Sequence, residues 1–209
     1  MLIKFSNLIL MDKLLREMTN ILDNLSKAPR NQYKSISHIR ERFTEYENNF
    51  SEILNSLEKM NQHDEGKFRD ILVKPVLPNK NTFLHDICSR SFDLIASQKD
   101  DEAFRNEKID FFQRMFISLI EKMKKYGIKS SGIKNKDGLN IDYFIDSYVE
   151  NIANSMDLDE TDEIMMDIMP EMEEFKEHIA DLDESAKSWK ASTAKSGKAS
   201  AAKERKRCK

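Results

Sequence analysis

The chain has 209 residues, 39% hydrophobic and 34% charged, which is more charge and less core material than an average globular sequence carries, so part of it is expected to lie outside any packed core. Its net charge of −3 conceals two opposed blocks: residues 157–184 hold 13 Asp/Glu and one Lys, residues 185–209 hold nine Lys/Arg and one Glu, and the remainder is close to neutral. Five Gly and four Pro leave long stretches without turn signals, which favours helices over strands, and no apolar run approaches the roughly 20 residues that span a bilayer.

The two cysteines, Cys88 in an apolar stretch and Cys208 in a basic one, make no disulfide framework, and a reducing, cytoplasmic compartment is expected. The opening MLIKFSNLIL has too short an apolar patch, and no small-residue cleavage site, for a secretory signal.

In chain order, residues 1–63 predict a helical hairpin. Met11, Leu14, Met18, Ile21 and Leu25 recur in steps of three and four, a heptad seam, and Pro29 ends the run. A second seam starts near Gln32 and runs through Ile36, Ile39, Phe43, Tyr46, Phe50, Ile53, Leu57 and Met60, a helix on the order of 45 Å long. The second helix is expected to outreach the first by about ten residues, on the 1.5 Å rise per residue. That overhang would pack on the rest of the chain or on another chain.

Residues 64–156 predict the core. Phe68, Ile71, Leu72 and Val73 follow a polar break, and the stretch from Pro75 to Asn81 reads as a loop. Residues 83–96 form a helix with Phe83, Leu84, Ile87, Cys88, Phe92, Ile95 and Ala96 on one face. Residues 102–126 form another, with Ile109, Phe112, Met115, Phe116, Leu119, Ile120 and Met123 inward. Gly127 fits a C-cap after the cationic turn Lys122, Lys124, Lys125. Residues 127–138 are loop, and a further helix runs from Ile141 to Met156.

Residues 157–184 predict an acidic amphipathic helix that Pro170 kinks or restarts. Its Met-rich stripe makes Met165, Met169, Met172, Phe175 and Ile179 candidates for docking into a groove on a partner protein, the alternative being that the stripe packs on the chain's own core. Residues 185–209, SAKSWKASTAKSGKASAAKERKRCK, have no apolar periodicity and are expected to be disordered alone. Lys203, Arg205, Lys206 and Arg207 form a basic patch suited to nuclear import or to a non-specific, salt-sensitive nucleic-acid contact; otherwise it is a solubilising tail that folds against the acidic block.

The segment Asn-Lys-Asn-Thr-Phe-Leu-His at 79–85 resembles the opening of an ankyrin repeat, with Thr82, Leu84 and His85 matching a Thr-Pro-Leu-His tetrapeptide and Phe83 in place of the proline. Phe116–Gly127 resembles the second helix of such a repeat. The turn ending Lys136-Asp137-Gly138 resembles its finger loop, and Leu139-Asn140-Ile141-Asp142-Tyr143 resembles the opening of the next repeat. The resemblance implies structural roles: Thr82 capping the first helix, and His85 hydrogen-bonding the neighbouring turn. His85 and Asp142 are 57 residues apart, where the family's repeat is about 33, so about 24 extra residues are expected around Ser97–Glu107. About one and a half repeats are visible, too few to bury their own face, which leaves the hairpin as the missing cap. Glu173-Glu174-Phe175-Lys176-Glu177 resembles the glutamate-rich block of bacterial effectors exported by type IV secretion, which implies a translocated protein acting in the host cytosol or nucleus.

No constellation carries chemistry. His85 and Cys88 share a helix face, but no second His/Cys pair completes a zinc site, and a cysteine among Leu84, Ile87 and Phe92 reads as packing rather than as a nucleophile. The glycines are isolated, and DLDETDE lacks the glycine and terminal glutamate of a calcium loop. The expectation is an all-α, non-enzymatic protein with no cofactor that contacts another protein, with effector and nucleic-acid-associated readings as alternatives.

Overall fold

The computed structural model describes the backbone of residues 2–62, 64–77, 81–97, 101–156 and 158–207, and the side chains of residues 10–29, 31–62, 64–77, 81–97, 101–156, 162 and 164–188. The described residues form seven helices and no strand: α1 Leu2–Lys27, α2 Ile36–Met60, α3 Glu65–Val73, α4 Phe83–Ser97, α5 Glu102–Lys125, α6 Ile141–Asn154 and α7 Leu158–Arg207, with 3₁₀ turns at Arg30–Gln32 and Ser130–Gly132.

Local chemistry sets most of the boundaries. Helix α2 begins after Ser35, whose hydroxyl accepts the His38 N–H, and not at Gln32. Asp64, Asp101 and Asn140 cap α3, α5 and α6 in the same way. Helix α5 ends in a Schellman motif: Gly127, at φ 59, donates to the Lys124 carbonyl and Ile128 to that of Met123, with both apolar side chains buried.

One expectation about length is corrected. Helix α1 extends to Leu2, so at 26 and 25 residues α1 and α2 match and the overhang disappears. Around Ser97–Glu107, α4 runs to Ser97 and Glu102–Glu107 belongs to α5.

The central helix is α4, which packs on α5, α6, α7 and α1, and its buried positions go almost all the way round. Helix α5 lies beside it and carries α2 and α3 on its far flank, with α1 covering α2. Helix α7 closes the opposite side across α4, α5 and α6. One hydrophobic cluster joins all seven helices, from Met18 through Leu57, Phe92, Phe116 and Ile145 to Phe175 and Leu182. The seams of α1 and α2 are therefore used within the chain.

Helix α7 is neither broken at Pro170 nor ended at Glu184. The proline deletes one backbone hydrogen bond, but packing on both sides of it holds the segment: Ile164, Ile168, Met172 and Phe175 are all buried. Residues 185–207 are rich in Ala and Lys, strong helix formers, and continue the helical backbone to Arg207.

Candidate functional site

The start of α4 is built around a buried neutral histidine. Thr82, Leu84 and His85 are all fully buried. The Leu139 carbonyl lies 3.3 Å from His85 Nε2 and can only accept, so that nitrogen carries the proton. Nδ1 then accepts from the Thr82 hydroxyl at 2.7 Å, while the same oxygen accepts the His85 backbone N–H at 3.4 Å. Burial, against the bond to Leu139, pushes the His85 imidazole down to about 4.

The turn that supplies Leu139 is folded by Asn135. Its side-chain oxygen accepts from the N–H groups of Asp137 and Leu139, each at 3.0 Å, and its backbone N–H bonds the Leu139 carbonyl. Gly138 takes φ 81, which a side chain would resist. Asp183 of α7 accepts from the Ser130 N–H and hydroxyl at 2.8 and 2.7 Å, tying the neighbouring turn to the last helix. Asp137 is exposed; Asp142 is half-buried, and desolvation raises its carboxyl above the usual range. Thr82, Leu84, His85, Gly127, Asp137, Gly138 and Asp142 thus sit in or beside turns and caps. Both His85 nitrogens are engaged, which leaves none for Cys88, and burial raises the Cys88 thiol well above its ordinary value.

The proposed docking stripe is corrected. Met172, Phe175 and Ile179 are buried, with the Phe175 ring 4.5 Å from Phe116 and 5.8 Å from Phe92. Met165 is half-buried, and only Met169, at 41% exposure, and its neighbour Met166 face outward. The stripe fills the apolar channel that α4, α5 and α6 leave open. The glutamate-rich block lies on this docked part, around buried Phe175. The side chains of Lys203, Arg205, Lys206 and Arg207 lie outside the described residues.

A group absent from the expected sites is Glu171, one residue past Pro170. It is 7% exposed, with its carboxylate set between α4 and α5. Oε1 accepts from the Ser91 hydroxyl at 3.0 Å and Oε2 from Gln113 Nε2 at 2.7 Å. That same amide nitrogen lies 2.6 Å from Glu174 Oε2, so two carboxylates share one neutral donor. Burial, reinforced by the charges of Glu174 and Asp110, raises Glu171 to about 7. Beside it opens a cleft of about 340 Å³ lined by Glu102, Arg105, Asn106, Asp167 and Glu174 among others. The signal was in the spacing: Ile164, Ile168, Glu171, Phe175, Ile179, Leu182 and Ala186 form one seam, and the carboxylate occupies a core position on it.

Two ion clusters fasten the other side. Arg90 bonds Asp86, Asp23 and Ser26, joining α4 to α1. Glu58 of α2 accepts from Lys122 at 2.6 Å and Tyr126 at 2.7 Å and also meets Lys125. Although burial opposes it, these donors hold the Glu58 carboxyl down at about 2.

Among the described residues no group of three His, Cys, Asp or Glu is placed to hold a metal ion, and no helix is long and apolar enough to cross a membrane. No family model matches the chain, and no curated protein or solved structure is similar to it.

Proposed function

We propose that the chain is a non-enzymatic interaction protein whose helical bundle carries a basic arm, residues 187–209, that engages an acidic partner. The observation behind this reading is the unequal use of α7. Its last buried residue among those described is Ala186, yet its backbone continues to Arg207, about 30 Å further along the axis. The apolar stripes that would otherwise suit docking are consumed inside the bundle. Residues 185–209 hold nine Lys/Arg against one Glu, which selects for anionic surfaces. An acidic protein is the first reading and a nucleic-acid backbone the second, favoured by the same charge and by the cluster at Lys203–Arg207.

Removing all of α7 would strip Phe175, Ile179 and Leu182 from the core, so the comparison is between the full chain and a chain ending at Ser188. Immobilised full chain is expected to capture a saturable partner from cell extract and the shortened chain to lose it. Capture that survives nuclease treatment supports the protein partner, and capture lost with nuclease supports the nucleic acid. Equal capture by both chains, or none by either, overturns the proposal.

A further inference from the structure

We propose that Glu171 is a proton-operated latch: protonated, it holds the first part of α7, Leu158–Met169, against α4 and α5, and on losing its proton it loosens that segment about Pro170. The proposal stands apart from the role of the basic arm.

The geometry supplies a buried acid without a cation. The donors to Glu171 are a hydroxyl and an amide, both neutral, and the amide is shared with Glu174. The charged and titratable groups facing it are Cys88 from α4, Glu102, Arg105 and Asp110 from α5, and Asp167 and Glu174 from α7. Arg105 is the single cation of that set, and it stands 3.6 Å from Asp167. His178, one turn beyond, lies 4.0 Å from Glu174. A second negative charge on the buried Glu171, beside Glu174, is therefore opposed by desolvation and by the neighbouring carboxylates, and is met directly only by two neutral donors.

The hinge is adjacent. Pro170 has no N–H for the Met166 carbonyl, so the ladder of α7 is already interrupted one residue before the latch. On the near side of the proline, the buried apolar anchors among the described residues are Ile164 and Ile168. On the far side, Met172, Phe175, Ile179 and Leu182 bind α7 firmly to the core. Charging Glu171 thus loads the joint at Pro170, where Leu158–Met169 leaves the part of α7 anchored by Met172, Phe175, Ile179 and Leu182.

Hydrogen exchange on the full chain and on Glu171→Gln, corrected for the intrinsic pH dependence of amide exchange, tests the latch. The glutamine keeps the shape and one acceptor oxygen but carries no charge. From the raised value of Glu171, near 7 against an ordinary 4.5, opening of 158–169 is expected to rise roughly 10- to 100-fold between about pH 5 and about pH 8 in the natural sequence and to stay level in Glu171→Gln. His178 is present in both chains, so a rise that persists in Glu171→Gln overturns the proposal, as does a flat profile in the natural sequence. Ser91→Ala gives an independent reading. Without the hydroxyl that favours the carboxylate, the pH at which opening levels off is expected to move upward; an equal change at every pH would mean Ser91 only packs, and would overturn the latch.

Discussion

Arg90 sends three nitrogens to three partners: Nε to Asp86 at 2.7 Å, one terminal nitrogen to Ser26 at 2.8 Å and the other to Asp23 at 2.6 Å. These partners differ in burial, since Asp86 is 2% exposed while the Asp23 carboxylate is 37% exposed. Removing the arginine takes a charged donor away from a buried carboxylate. Arg90→Met is accordingly expected to cost on the order of 3 kcal/mol, while Asp23→Asn, at a wetter site, costs less than about 1 kcal/mol. Urea unfolding of the two variants checks the ordering; equal costs would mean that Asp86 finds compensation elsewhere. At this scale the sequence was informative where residue type and position agreed. Thr82 and His85 stood out because they match the ankyrin-like tetrapeptide, a resemblance that implies a cap and a turn contact. Glu171 and Lys108 escaped because a charged residue is ordinarily solvated. Yet both occupy seam positions, Lys108 between Phe104 and Phe111 with its ammonium 4.4 Å from the Phe104 ring centre.

Helices α4, α5 and α6 were legible from their long apolar faces and, for α5, from Gly127 as a C-cap; the caps at Asp101 and Asn140 are seen in the structure. The destination of each face was not legible. A Met-rich stripe at helical spacing looks the same whether it fills a partner's groove or the chain's own channel, and only the packing of α4 and α5 against Phe175 distinguishes the two. Pro170 was read as a kink or a restart; the helix does not restart there, because tertiary contacts override local propensity. Its cost should still be measurable. Pro170→Ala restores a donor to the Met166 carbonyl and is expected to stabilise the fold by on the order of 1–3 kcal/mol, read from thermal unfolding. A neutral or destabilising outcome would show that the ring itself packs usefully in the cleft beside Glu171.

Across the whole molecule, two buried groups respond to pH with opposite signs. His85 titrates near 4 in the fold against an ordinary 6.5, so the unfolded chain takes up its proton first and stability falls as pH drops from 6.5 toward 4. Glu171 titrates near 7 against 4.5, so the unfolded chain releases its proton first and stability falls as pH rises from 4.5 toward 7. Each linkage amounts to about 3 kcal/mol at full extent. Between pH 4.5 and pH 6.5 they oppose each other. Single variants should unmask them: His85→Asn is expected to lose stability with rising pH through this window and Glu171→Gln with falling pH, while the natural chain stays nearly level. Urea midpoints at several pH values decide it, and three parallel profiles would refute the pairing. The buried imidazole at the head of α4 and the buried carboxylate on α7 also give unfolding a calorimetric signature. One group gains a proton as the chain opens while the other gives one up, so within this window the two exchange almost no net protons with solvent, and their contribution to the unfolding heat is the same in a phosphate as in an amine buffer.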